Sequence, residues 1–131
     1  MADLTPIQLL RNSGVDWTKT AGAASQTMVY NRRDEAIYLL VENGDDDDCR
    51  IKVAANGYGD GSAGAGDGTA LDVDIAAGEF AIVGPLESNR FKAPSTQKVT
   101  FEILDQDDTA FSGTVGNVLL TQVNLVKSLT D

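Results

Sequence analysis

The sequence predicts an all-β fold: a single antiparallel β-sandwich, jelly-roll-like, preceded by an extended N-terminal arm. Three observations carry this. Apolar residues recur with period two in segments of four to eight residues, the spacing of a strand with one buried face. Those segments are separated by Gly, Asn and Asp turn signals, such as Asn43-Gly44 and Ala77-Gly78. The chain carries 13 glycines, many more breakers than a long-helix protein tolerates. With 131 residues it has the length of one domain with one two-layer core. The expected division is an arm over residues 1–28 and a sandwich over residues 29–131.

Within the arm, Thr5-Pro6 reads as the opening of a helical turn with Ile7, Leu9 and Leu10 on its apolar side, stopped by Asn12 to Gly14. Thr18 to Thr27 is small and polar, without a period. Two readings stay open for such a segment: it orders against a partner, or it packs on its own domain. From Met28 the texture becomes β. Ala36 to Val41 is a continuous apolar run, as expected of a central strand covered on both faces. Arg50-Ile51-Lys52-Val53 alternates, so residues 36–53 read as a hairpin with a long acidic tip. Gly57 to Gly68 is half glycine and reads as a flexible loop. Leu71, Val73 and Ile75 alternate with Asp72 and Asp74. Phe80, Ile82 and Val83 make the next strand, closed by Gly84-Pro85, and Arg90-Phe91 begins another extended piece, broken by Pro94-Ser95. Val99, Phe101 and Ile103 alternate with Thr100 and Glu102. Val118 to Val126 reads as a last strand, with a short helix as the competing reading. Ile37, Leu39, Val41, Ile51, Val53, Val73, Ile75, Phe80, Ile82, Phe101 and Ile103 are the expected core.

Composition narrows function more than any motif. The chain has 20 acidic and 10 basic residues, a net charge of −10. That argues against nucleic acid as a partner, because phosphate contacts need a basic surface. There is no histidine, which removes Ser-His-Asp and Cys-His nucleophilic machinery and every His-ligated metal site. Cys49 is the only cysteine, so no intrachain disulfide forms. It stands beside Asp45 to Asp48, whose charge disfavours the thiolate and makes it a poor nucleophile. No apolar run reaches the length of a membrane span, and MADLTPIQLL lacks the basic start and apolar stretch of a signal peptide. The expectation is a protein made and used without export and without a membrane partner.

The acidic clusters, Asp45–Asp48, Asp60 with Asp67, Asp72 with Asp74, and Asp105 with Asp107 and Asp108, raise calcium as a hypothesis. None has the spacing of an EF-hand loop, and solvated loop charge is the expected reading. The Gly-rich loop lacks the Gly-Lys-Ser/Thr ending of a phosphate-binding loop, and a period-two segment follows it where a helix would be needed. An acid–base hydrolase using Asp72 and Asp74 is the rival enzyme class, but few aromatics are free to line a sugar cleft. Carbohydrate binding without catalysis through Trp17 or Tyr58 stays open. The expected catalytic, cofactor-binding and metal-ligating residues are therefore none. The candidate partner-binding residues are Ile7, Leu9, Leu10 and Trp17. Trp is enriched at interface hot spots and this one lies outside the expected core, although it could equally cap its own sandwich.

Ala36 to Gly44 ends in Val-x-Asn-Gly. Leu71 to Leu86 carries Ala76-Ala77-Gly78-Glu79 and then the Val83-Gly84-Pro85 corner. Arg90-Phe91 and the Val99 to Ile103 strand follow. Over about residues 36–104, this arrangement resembles small β-sandwich structural proteins of tailed phages and related viruses that decorate or cement the capsid. Ala76 stands where that pattern often has proline, and the arm and the acidic Gly-rich loop have no counterpart in it. The resemblance implies a virion protein, made in the host cytoplasm, that binds the major capsid protein and stabilises the head shell without catalysis or cofactor. It also implies a homo-oligomer, with a trimer fitting the local symmetry axes of a shell. Another virion component, such as a tail or head-completion protein, a carbohydrate-binding sandwich and an unrelated cellular binding module are the alternatives.

Overall fold

The computed structural model describes residues 2–9, 14–30, 35–55, 70–86, 91–93 and 95–126. Among the described residues ten strands form two packed sheets. Sheet A has the order β1 (Ala2–Asp3), β4 (Ser25–Val29), β9 (Lys98–Leu104), β6 (Cys49–Val53) and β7 (Leu71–Ile75). Sheet B has the order β2 (Ile7–Leu9), β10 (Val118–Val126), β5 (Glu35–Asn43) and β8 (Phe80–Val83), with β3 (Thr20–Ala21) also pairing on β10. All pairings are antiparallel except β1 with β4 and β2 with β10, which are parallel. The expected antiparallel β-sandwich is the fold.

The core follows from period-two spacing. Ile37, Leu39 and Val41 of β5 and Leu120 of β10 face Ile51 and Val53 of β6 and Val99, Phe101 and Ile103 of β9, all almost wholly buried. Burying such a side chain is worth about 1.5–3 kcal/mol, so this shared interior holds the two sheets together. Ile75 and Val83 join it, and Val73 packs against it half-buried.

Several expectations change. Residues 36–53 are not a hairpin. β5 lies in sheet B and β6 in sheet A, and the chain crosses between the sheets at Gly44 to Asp48. The reason is burial: the apolar faces of both strands must meet across the core, which two neighbours in one sheet cannot do. Phe80 and Ile82 are not core. β8 pairs with β5 in the register Leu39–Val83, Leu40–Ile82 and Glu42–Phe80, which turns Val83 inward and leaves Phe80 64% and Ile82 70% exposed. Ile7 to Leu9 form a strand and not a helical turn, because β10 offers an unpaired edge to residues 7–9. Val118 to Val126 is a strand along its length, paired with all nine residues of β5.

The described parts of residues 1–28 are woven into both sheets, so no structural boundary falls at residue 28. Leu4 is 3% exposed, and its N–H donates to the Thr27 carbonyl at 2.9 Å. Asp3 binds the Thr27 hydroxyl and Lys98, tying β1 to β4 and β9. Gly22 carries the chain from sheet B to sheet A. A Cβ there would meet the Val115 carbonyl and Ile103 Cδ1 at 2.6 Å, so only glycine fits. Leu10, the Gly57–Gly68 loop, Arg90 and Pro94 lie outside the described residues.

Candidate functional site: an apolar groove on sheet B

The site is built on the outer face of sheet B. Alternation along β5 sends Ile37, Leu39 and Val41 inward and Tyr38, Leu40 and Glu42 outward. Register then sets their neighbours. Ile7 stands beside Val123 and Val123 beside Tyr38. Thr121 stands beside Leu40 and Leu40 beside Ile82. Glu42 stands beside Phe80. This face is therefore apolar across four strands, which explains why the β5 run shows no polar alternation at residues 36–41.

Residues 14–19 cover part of that face. Trp17 Nε1 donates to Thr121 Oγ1 at 2.8 Å, and the same hydroxyl donates to the Thr18 carbonyl at 2.8 Å. Lys19 Nζ sits 5.7 Å from the Trp17 ring centre and binds Glu42 at 2.6 Å. These contacts fix the segment over β10. Between it and β8 lies a groove of about 460 Å³. Tyr38, Leu40 and Val123 line it together with Ile7, Leu9, Val15 and Trp17 from the N-terminal region and Ile82 from β8. Trp17 remains 54% and Val15 47% exposed.

Of the sequence candidates, Ile7, Leu9 and Trp17 come together at this groove, and Leu10 lies outside the described residues. The indole N–H of Trp17 is tied to its own sandwich through Thr121, and about half of the residue stays exposed. Val15, Phe80 and Ile82 were not among the candidates. The signal available in the sequence was the β5 run itself. A strand apolar on both faces needs two covers, and the segment over β10 supplies only part of the second.

The acidic clusters among the described residues have structural partners, and Asp60 and Asp67 lie outside the described residues. Asp45 accepts from the backbone N–H groups of Asp47 and Thr114 and from Asn117 Nδ2, at 3.0 Å each, which joins the Gly44–Asp48 crossing to the loop before β10. The Thr114 N–H, the largest contributor, holds the Asp45 carboxyl below its ordinary pKa. Asp48 accepts from the Ala77 N–H, and Asp105 from both the N–H and the hydroxyl of Ser112. On the outer face of sheet A, Arg50 binds both oxygens of Asp74 at 2.7 and 3.2 Å and reaches Asp108 at 3.1 Å. Lys52 bridges Asp72 and Asp108 at 3.0 and 3.2 Å. The Arg50 hydrogen bond keeps Asp74 ionised well below its usual range, which suits an ion-pair partner and not a proton donor. Among the described residues no three Asp, Glu or Cys side chains converge to hold a metal ion. Cys49 is fully buried, and burial first, then Asp48, raises its thiol pKa to about 11.

Comparison of the chain with protein-family models, with curated proteins and with solved structures finds no match.

Proposed function

We propose that this protein is a capsid decoration or cement protein of a virus particle, one that binds and stabilises the head shell and performs no chemistry. The observation that carries the reading is the exposed apolar patch on sheet B, in a chain whose net charge is −10. The largest apolar patch on a monomeric protein is often a functional contact with another macromolecule. The resemblance of residues 36–104 to virion sandwich proteins supplies the kind of partner, the major capsid protein. The absence of histidine from the sequence, the buried thiol and the engagement of Asp45, Asp72, Asp74 and Asp108 in loop ties and ion pairs support action by binding. The nearly all-apolar groove does not favour a sugar, whose hydroxyls need polar partners, and the Trp17 N–H is already spent on Thr121.

In this reading Val15 and Trp17 meet the shell, with Ile7 and Leu9 behind them. Co-sedimentation with shells assembled from the major capsid protein of the same virus tests it. The wild type sediments with shells and saturates. Trp17→Ala, which leaves the core intact, binds at least tenfold more weakly, as loss of an aromatic interface anchor does. No sedimentation with shells, or equal binding by Trp17→Ala, overturns the assignment.

A further inference from the structure

β8 is the last strand of sheet B, paired with β5 and with no other strand among the described residues. Its hydrogen bonds have a parity. The Asn43 N–H donates to the Glu79 carbonyl at 2.9 Å, and opposed residues in an antiparallel pair alternate between bonded and non-bonded. Ala81 and Val83, opposite Val41 and Leu39, therefore turn their N–H and C=O groups to β5. Phe80 and Ile82 turn theirs away, to the edge of the sheet, and they are 64% and 70% exposed. Soluble proteins commonly guard such an edge with charge, proline or a bulge. β7, the last strand of sheet A, carries Asp72 and Asp74. β8 reads Phe-Ala-Ile-Val in unbroken register with β5, and has none of these guards.

We propose that the β8 edge is a strand-addition site that takes an extended, basic-ended segment of a partner protein, antiparallel to β8. In this mode main-chain hydrogen bonds supply binding and alternate side chains supply specificity. The outward groups of Phe80 and Ile82 bond the guest residues directly opposite them, whose side chains stand on the outer face of sheet B. Apolar guest residues at those positions cover Phe80 and Ile82. Charge fixes the rest of the guest. Asp48 accepts from the Ala77 N–H and the Asp47 carbonyl accepts from Asn43 Nδ2, which sets both beside the turn that leads into β8. Glu79 closes that turn, and all three acids are exposed. The C-terminal end of an antiparallel guest lies against them, so its Lys or Arg residues belong there. A second copy, with its own charge of −10, is repelled from the same end. The edge is separate from Val15 and Trp17, and the proposal does not depend on the virion reading.

Fluorescence anisotropy of a labelled, end-blocked peptide, Thr-Val-Thr-Val-Thr-Val-Lys-Lys, titrated with the full chain tests it. Binding saturates, and it weakens as salt is added. The same peptide ending in Glu-Glu binds at least tenfold more weakly. Methylating the valine nitrogens, which face Phe80 and Ile82, abolishes binding, whereas methylating the threonine nitrogens, which face away, leaves it. Ile82→Pro deletes an edge N–H that the fold does not use, so it keeps the wild-type circular dichroism and binds at least tenfold more weakly. Ile82→Val binds as the wild type does. If Ile82→Pro does not fold, the two methylated peptides decide the matter on the wild-type chain. No saturation up to about 1 mM chain overturns the proposal. So does equal binding of the two methylated peptides, or of the lysine and glutamate peptides. A dimer in sedimentation velocity that the peptide disperses assigns the edge to a second copy and overturns it as well.

Discussion

Asp45 and its neighbours show how individual carboxylates act as ties in this protein. Thr114, Asn117 and Asp47 all donate to Asp45, so one side chain fixes two loops at the end of the sandwich. Hydrogen bonds from Thr27, Thr114 and Arg50 likewise lead the causes that hold Asp3, Asp45 and Asp74 below their ordinary value of 3.8, and Arg50 with Lys52 does so for Asp108. A carboxylate with a lowered folded-state pKa contributes stability that is present above its unfolded pKa and lost as pH falls through the folded value. The melting temperature should therefore hold steady down to about the unfolded carboxylate value near 3.8 and fall below it. Asp45→Asn should lower the plateau and flatten part of the acid decline. Melts across an acid series check this, and a melting temperature that does not drop below that range contradicts it. The sequence showed these aspartates as clusters without showing their partners. Thr114 and Asn117 lie about seventy residues from Asp45, a separation that no local motif reveals.

At the scale of elements, the N-terminal strands are part of the sandwich and not an appendage. Leu4 sits in the core, and β2 completes the edge of β10. Leu4→Ala should cost about 2–5 kcal/mol, the range for a leucine removed from a packed interior. Removing residues 1–9 should destabilise the domain further, which makes that truncation a test of folding and not of docking. Chemical denaturation checks both, and an unchanged midpoint for Leu4→Ala contradicts the placement of this segment. Strand positions were legible because period-two spacing in β6, β7 and β9 states which residues turn inward. β8 was not, because Phe80, Ile82 and Val83 are all apolar and either parity satisfies the pattern; its register with β5 decides. The crossing at Gly44–Asp48 was hidden for a similar reason. A turn dipeptide between two strands looks the same whether the strands pair or pass into opposite sheets. The groove was legible only in outline, through the two-sided apolar run of β5, since its walls come from β2, residues 14–17, β8 and β10 together.

The whole molecule is two-faced. Sheet A carries the Arg50–Lys52–Asp72–Asp74–Asp108 network on its outer side, while sheet B presents apolar surface around Trp17, Phe80 and Ile82. Such a division suits a protein that holds neighbours together on one side and stays wetted on the other. A ligand that binds only the assembled state raises the temperature at which that state comes apart, by mass action. Under the proposed cement function the assembled state is the shell. The measurement that tests this most directly is the disruption temperature of undecorated shells titrated with the purified chain, followed by light scattering. A rise that saturates at a fixed ratio of chain to capsid subunit is the predicted result, with a smaller rise for Trp17→Ala at the same concentration. A disruption temperature that does not change while the chain is in excess contradicts the account.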